Sequence, residues 1–194
     1  MSQENVEIVR QSLRVGERSS RTLDERLSLR FPRLVAASSR LIAKLPPRSR
    51  LRQALLRRGV QLAMEAYNRR DLEAVVIAWH PSFEYHPARA VEAGLVEPCY
   101  RGLDGYRKYV ATTSEVWGGE NRLRPVELID LGEHAVVLGH VVMRAQASGV
   151  PLTEPYATVL TLKDGSVIRL DEYYDHAEAL EAVGLSEQDA HADS

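Results

Sequence analysis

Residues 155–174 read PYATVLTLKDGSVIRLDEYY, two runs of alternating apolar and polar residues joined at Asp164-Gly165. Alternation is typical of strands that bury one face, and an Asp-Gly pair between two such runs is a strong hairpin signal. Two further strands are predicted upstream, over 124–131 and 134–147, with glycine-containing turns between them. The C-terminal half of the chain is therefore predicted to form an antiparallel sheet.

Apolar residues at helical spacing predict several helices before this sheet. The predicted helices span 5–13, 31–45, 49–67, 71–79 and 102–117, a short strand is predicted over 83–86, and a last helix over 176–183. Helices followed by an antiparallel sheet indicate an α+β fold. A sheet that curls around a helix leaves a conical hollow, which is where we expect any function to reside.

The composition fits one domain with an appendage. The chain has 194 residues, of which 44% are hydrophobic and 27% charged, and this excludes global disorder. No apolar run approaches the roughly 18 residues that a membrane span needs, and acids stand where a signal peptide would be basic and then apolar. We therefore expect a cytoplasmic protein. The single cysteine, Cys99, cannot form an internal disulfide.

Charge is distributed unevenly along the chain. Residues 1–58 hold 14 Lys and Arg against 5 Asp and Glu, whereas residues 59–194 hold 11 against 22. The two parts should attract each other, so the basic part is interpreted as an amphipathic helical cover that packs on the acidic part. A cover lying over the mouth of the hollow would also act as a lid. Docking of the arginines on nucleic acid or an anionic membrane is the less favoured alternative.

Several short motifs in a fixed order resemble a known family. They are AYNRRDLEA at 66–74, HPSFEYHP at 80–87, YRGLDG at 100–105, PYAT at 155–158, KDGSV at 163–167 and YDHAEAL at 174–180. Together they resemble the SnoaL-like branch of the NTF2-like superfamily. The resemblance implies a cone of curved antiparallel sheet around N-terminal helices, usually dimeric through the sheet, over residues 59–185. Residues 1–58 are then a basic helical extension or insertion, and 186–194 a disordered tail.

The family does not imply a single activity, because its members include ketosteroid isomerases, polyketide cyclases, limonene-epoxide-type hydrolases, dehydratases and pocket proteins without known chemistry. The epoxide-hydrolase mechanism needs an Arg and an Asp two residues apart on a middle strand, and the nearest residues here are His140 and Val142. The tyrosine that isomerases carry on the first helix is replaced near Ala63. Neither mechanism is therefore supported in detail.

Three residues are predicted to carry chemistry. In isomerase-like members the residue before the proline that follows the short strand is the carboxylate base, and His86 occupies that position. An imidazole suits proton transfer near neutral pH, and Glu84 would orient it. Glu172 falls where epoxide-hydrolase-like members keep a catalytic acid. The competing interpretations are a pocket-lining histidine bonded to Glu84 and a surface salt bridge at Glu172.

The predicted substrate-binding residues are polar or aromatic: Tyr67, Trp79, Tyr109, His140, Tyr156, Thr158 and Tyr174. Tyr156 or Tyr67 could replace the missing oxyanion donor, Trp79 could instead be a core residue, and His140 faces either the hollow or the dimer face. We expect no metal, because the six-residue His-to-His spacings match no ligand pattern and few third ligands are available. Nucleophilic catalysis by Cys99 is not expected either, because this residue lies in a loop without an assigned base. No phosphate-binding glycine loop is present, so no cofactor is expected.

These residues predict a protein that binds a small, largely apolar metabolite with a carbonyl group or ring. Cofactor-free proton transfer, as in isomerisation, cyclisation or dehydration, is the expected reaction class. The alternative is a non-catalytic ligand-binding or regulatory module whose basic N-terminal part binds a partner.

Overall fold

The computed structural model describes residues 9–13, 19–88, 94–117, 121–144 and 151–186. Six helices lie within these ranges: α1 Leu23–Arg30, α2 Pro32–Ala43, α3 Arg50–Asn68, α4 Leu72–Val75, α5 Gly102–Trp117 and α6 His176–Glu181. Seven strands lie within the same ranges: β1 Val9–Ser12, β2 Trp79–His86, β3 Tyr100–Arg101, β4 Arg122–Asp130, β5 His134–Arg144, β6 Pro151–Lys163 and β7 Ser166–Tyr173. The predicted α+β fold is confirmed.

The strands form a single sheet in the order β1-β4-β5-β6-β7-β2-β3. Neighbours run antiparallel except β2 and β7, which are parallel. Helices α3 and α5 pack on the inner face, to which Val137 and Leu170 point. Helix α6 packs on the outer face against Val136 and Val159. Strand alternation therefore sorts the side chains into an inner core and a smaller outer cluster.

Most of the predicted elements are present, and two predictions are wrong. The helix predicted over 71–79 is only the single turn α4, because Trp79 pairs with Val167 and begins β2 instead. Residues 9–12 of the helix predicted over 5–13 form β1, whose backbone pairs with β4 from Val9–Asp130 to Ser12–Glu127. Inter-strand hydrogen bonds at a sheet edge override the local helical spacing in this segment.

The N-terminal helices are anchored to the sheet by buried charge. The Arg52 guanidinium donates to the Asp130 carboxylate at 2.6 and 2.8 Å and also to backbone carbonyls that include Gly132 O at 2.9 Å. Before α1, Arg21 donates to Asp71 at 2.5 and 2.7 Å. Helix α3 runs without a break through Gly59, so the predicted domain boundary falls inside a continuous helix.

Helix α2 lies against the β6–β7 turn. A Cβ added at Gly165 would lie 2.1 Å from the backbone oxygen of Ser39, and Gly165 has a φ of +76°. Only glycine allows this backbone conformation together with so close an approach. Gly165, which the sequence predicts for the hairpin turn, therefore also allows α2 to pack closely against the β6–β7 turn. Among the helices of the described ranges, none combines the length and the apolar character that crossing a membrane requires.

Candidate functional site

A cavity of about 870 Å³ lies between the inner face of the sheet and the helices. Its walls come from α2, α3, the α4 region, α5 and strands β2, β4, β5, β6 and β7, and most of the lining side chains are apolar. Such a volume falls in the range of about 300–1,000 Å³ that small-molecule sites occupy. The predicted hollow is therefore present and is large enough for a small organic ligand.

Helix α2 contributes part of the cavity wall through Val35, Ser39 and Ile42. The end of this helix is also held in place, because Arg52 donates to the carbonyl of Ala43 at 3.2 Å. Part of the basic N-terminal segment thus forms one wall of the cavity, and its action as a lid stays a prediction.

The cavity wall carries charged side chains, such as Glu25 and Lys44, and a set of aromatic and threonine hydroxyls. The tyrosine and threonine residues of the lining are Tyr67, Tyr85, Tyr106, Tyr156 and Thr158. The Thr158 side chain is 1% exposed, and its Oγ1 has no hydrogen-bond partner among the residues that the structure describes. A buried hydroxyl without a partner carries an energetic penalty, which a ligand oxygen or nitrogen at this point would relieve.

Glu172 lies directly behind this wall. Its side chain is buried, and its carboxylate accepts hydrogen bonds from the Tyr109 hydroxyl at 3.2 Å and from the backbone N–H of Ala88 at 3.4 Å. Burial raises the pKa of Glu172, and hydrogen bonds from Tyr85, Ala88, Tyr109 and Tyr156 partly offset that rise. A carboxyl group with a raised pKa titrates closer to neutral pH, as proton transfer requires.

The surrounding tyrosines stay protonated at neutral pH. Burial, reinforced by the negative charge of Glu172, raises the pKa of Tyr85, Tyr109 and Tyr156 well above 10. The Tyr67 hydroxyl accepts a hydrogen bond from Asn121 Nδ2 at 3.0 Å, which leaves its own proton free to be donated. The site therefore presents several hydroxyl donors next to one buried carboxyl group.

Strand pairing explains how the sequence assembles this site. Thr158 on β6 stands opposite Glu172 on β7, and Leu170 on β7 stands beside Tyr85 on β2. Paired residues share a sheet face, so these side chains all project inward. The pairing of β7 with β6 on one side and β2 on the other therefore sets Glu172 between Tyr156 and Tyr85.

The prediction that His86 and Glu172 share one dry space is wrong. His86 pairs with Asp171, the neighbour of Glu172 that points to the opposite face, and the His86 side chain is 25% exposed. Glu84 lies on this outer face too, where Arg101 Nε donates to its Oε1 at 3.0 Å. The prediction that Glu84 and His86 share one face of β2 is correct. The hollow, however, lies on the opposite face, which carries Phe83 and Tyr85.

His140 also lies outside the cavity, because it shares a sheet face with Val136 and Leu138 of the outer cluster. Its ring stands 5.9 Å from that of His176, measured between centroids. Of the two orientations predicted for His140, towards the hollow or towards the dimer face, the structure has the one that points away from the hollow.

The other predicted binding residues fall into two groups. Tyr67, Trp79, Tyr156 and Thr158 line the cavity. Tyr109 lies behind the wall on Glu172, and the ring of Tyr174 packs edge-on against Tyr156 with 5.9 Å between centroids.

Two cavity residues, Tyr85 and Tyr106, were missed by the sequence analysis. Their rings pack together with 5.0 Å between centroids. Alternation and helical spacing assign both positions to the core, and that assignment is correct. Their chemistry could have identified them as candidate site residues, because a tyrosine at a core position, unlike a phenylalanine, needs a hydrogen-bond partner for its hydroxyl.

A second group of chemically active side chains lies on the outer face. One ligand atom each from Glu84, His86 and Cys99 lie within 4.8 Å of one another. The position of Cys99 across from β2 depends on the pairing of β3 with β2, which the residue pattern of the preceding loop does not indicate. This group is separate from the cavity, since none of its members lines the cavity wall.

The family assignment follows from a match to the model of the SnoaL-like domain over residues 60–170. The chain belongs to this family. Its fold is also that of solved NTF2-like structures, as the resemblance implied. No curated protein matches the sequence.

Three solved structures illustrate the similarity. TerC co-crystallized with polyporic acid is 25% identical, with a TM-score of 0.55 over 61% of this chain and 89% of TerC. An NTF2-like protein of unknown function from Burkholderia pseudomallei K96243 is 26% identical, with a TM-score of 0.55 over 66% of this chain and 95% of its own. A Jannaschia sp. CCS1 protein, named after the SnoaL-like polyketide cyclases, is 18% identical, with a TM-score of 0.54 over 72% and 94%.

Proposed function

We propose that the cavity binds a small, largely apolar molecule whose carbonyl oxygen reaches the tyrosine-lined end, and that the protein catalyses proton transfer on it without a cofactor. The observation that carries this proposal is the buried Glu172 carboxyl group, which accepts a hydrogen bond from Tyr109 and lies close to Tyr85 and Tyr156 of the cavity wall. Isomerisation, cyclisation and dehydration all begin with such a transfer next to a carbonyl group.

The tyrosine hydroxyls supply the electrostatic part of the reaction. Removal of a proton beside a carbonyl group places negative charge on the carbonyl oxygen, and fixed donors in a dry site stabilise that charge. Tyr67 lines the wall and can donate its own proton, because its oxygen accepts from Asn121, and the Thr158 hydroxyl adds a donor with no competing partner in the described structure. A ligand bound against the mostly apolar walls would displace water from the reacting atoms.

Glu172 supplies the proton acceptor. Because it lies behind Tyr85 and Tyr156, the proton passes by relay: a wall tyrosine takes the proton from the ligand carbon as it gives its own to the Glu172 carboxylate. The enolate that forms is held by a second hydroxyl. Reversal of the relay at another ligand carbon completes an isomerisation. In a cyclisation the enolate carbon attacks a second carbonyl group, and the relay returns the proton from Glu172 to the alkoxide oxygen that forms.

The comparisons support the ligand class. The chain belongs to the SnoaL-like family, and the similar TerC has been co-crystallized with polyporic acid. A further structure of the same fold is named after polyketide cyclases. A small aromatic or alicyclic ketone is therefore the substrate class that we propose, and the cavity volume accommodates it.

The test is the exchange of ligand protons for solvent deuterium, followed by NMR on 2-tetralone and related bicyclic ketones. We expect the protein to accelerate exchange at the carbon beside the carbonyl group. Tyr156→Phe should slow that exchange by about tenfold or more, because one of the two wall hydroxyls that relay the proton to Glu172 is lost.

Binding is measured on the same samples by the ligand-induced rise in Tm. Binding that persists in Tyr156→Phe while exchange falls supports catalysis. If the wild type binds ketones but does not accelerate exchange, the proposed catalysis is refuted and the protein is a ligand-binding protein.

A second candidate function rests on the surface of the N-terminal helices. Leu23, Leu34 and Leu41 are 77%, 66% and 68% exposed, and exposed arginines such as Arg26 and Arg33 lie on the same helices. Exposed apolar side chains beside basic ones suit an anionic membrane surface, on which a non-catalytic pocket protein would deliver or sense its ligand. Salt-sensitive co-sedimentation with phosphatidylserine vesicles tests this candidate, and sedimentation equal to that with neutral vesicles would refute it.

The cytoplasmic location and the homodimer remain predictions. The first would be tested by fractionation of cells that express the protein, and the second by the mass of the purified protein in solution.

A further inference from the structure

The strongest feature that the proposed function leaves unused is the group formed by Glu84, His86 and Cys99. All three side chains are half-buried, and their candidate ligand atoms lie within 4.8 Å of one another. Sulfur, imidazole nitrogen and carboxylate oxygen are the three donors by which proteins hold zinc. From this arrangement we propose that the outer face of the sheet carries a zinc site built by these three residues.

The sheet register produces the cluster. Strand β2 presents Glu84 and His86 on the same face, two residues apart. Strand β3 pairs antiparallel with β2 through Glu84–Arg101 and Tyr85–Tyr100. Continuing this register by one residue sets Cys99 across from His86, on the face to which Glu84 also points. The backbone therefore brings the three donors together before any side chain adjusts.

The hydrogen bonds leave the donor atoms in a suitable state. Glu84 Oε2 lies 3.3 Å from His86 Nε2, whereas Arg101 binds the other oxygen, Oε1, at 2.9 and 3.0 Å. A metal ion can replace the weak contact to Oε2 while Arg101 keeps holding the carboxylate from behind. Metal-binding residues are commonly oriented by such outer partners.

Within the part of the chain that the structure describes, three residues form the ligand set. The carboxylate of Asp171, opposite His86, is paired with Arg169 through contacts of 2.6 to 3.0 Å. Water would therefore complete a tetrahedral ion, as in zinc sites with an open position. A thiolate ligand also favours zinc and cobalt over the oxygen-preferring magnesium and calcium. The bound ion would fasten the loop before β3 to strand β2.

The test uses the full chain without an affinity tag, reduced and metal-free, titrated with Co²⁺ and then with Zn²⁺. Cys99 is the only cysteine of the chain, so a sulfur-to-cobalt charge-transfer band in the near ultraviolet reports on this residue alone. We expect that band at one Co²⁺ per chain, its loss on adding Zn²⁺, and its persistence in excess Mg²⁺.

Variants separate a built site from a lone thiol. Cys99→Ser should abolish the band, and His86→Gln and Glu84→Gln should each weaken Co²⁺ binding by about tenfold or more. His134→Gln is the matched control, because His134 is exposed on the distant end of β5 and should bind Co²⁺ as the wild type does.

The proposal is overturned by any of three results. The first is the absence of a sulfur-to-cobalt band in the wild-type chain, and the second is a band that both His86→Gln and Glu84→Gln leave unchanged. The third is one ion per two chains, which would indicate a site between molecules. Circular dichroism of each variant verifies that a loss of binding is not a loss of fold.

Discussion

The free energy of unfolding of Glu172→Gln, relative to that of the wild type, should increase as the pH rises above about 4. The Glu172 side chain is 6% exposed, and burial raises its pKa. The folded protein therefore holds this proton at pH values where the unfolded chain has released it. Glutamine resembles the protonated form and cannot lose a proton.

The magnitude follows from proton linkage. Below the ordinary glutamate pKa of about 4.3, both folded and unfolded forms carry the proton, and the two proteins differ by a constant amount. Above that value the unfolded chain binds one proton fewer than the folded one, so the wild type loses about 1.4 kcal/mol of unfolding free energy per pH unit. The loss levels off once the pH passes the raised pKa of Glu172. The height of the plateau then measures how strongly burial acts on this carboxyl group.

Urea unfolding of both proteins between pH 4 and pH 8 measures the difference, and all other titrating groups cancel in it. Glu181→Gln serves as the control, because Glu181 is exposed on α6 and its replacement should shift stability equally at every pH. A Glu172→Gln difference that stays flat would refute the reasoning. A difference that falls as the pH rises would show that the tyrosine hydrogen bonds outweigh burial.

Two further predictions concern the N-terminal cover. Arg52→Met should lower the free energy of unfolding by about 3–5 kcal/mol, because Asp130 is fully buried and loses its guanidinium partner. Adding Asp130→Leu to this variant should restore most of that free energy, as measured by urea unfolding. A double variant as unstable as Arg52→Met would contradict this prediction. Gly165→Ala should speed amide hydrogen exchange in α2, because the new Cβ meets Ser39. Gly184→Ala shares the positive φ but has open space around it, so an equal effect on α2 from both variants would show that contact with Ser39 is not the cause.

The sheet and the long helices could be predicted because their signals are local. Alternation over 155–174 and the Asp164-Gly165 turn fixed β6 and β7, and the apolar stripe of α3 was long enough to be recognised despite Gly59. The single turn α4 was overestimated, since whether the chain continues as helix or strand at Trp79 depends on β7, which lies far away in sequence. Pairing between strands that are distant in the sequence gives no signal in the local residue pattern.

The candidate site was predicted only in part for a related reason. Alternation states which residues share a face but not which face is the inner one, so Glu84 and His86 were assigned to the hollow although Phe83 and Tyr85 occupy it. Glu172 was identified by its position in the family pattern and does point inward. Its tyrosine partners come from β2, β6 and α5, and only the assembled fold brings them together.

The central claim is that proton transfer takes place at the inner face, through Glu172. The most direct measurement is deuterium incorporation into 2-tetralone by Glu172→Gln beside Glu181→Gln, at equal protein concentration and with ligand binding verified. The account predicts that exchange falls to the uncatalysed rate in Glu172→Gln and stays at the wild-type rate in Glu181→Gln. Undiminished exchange in Glu172→Gln, or exchange that depends on His86 instead, would contradict it.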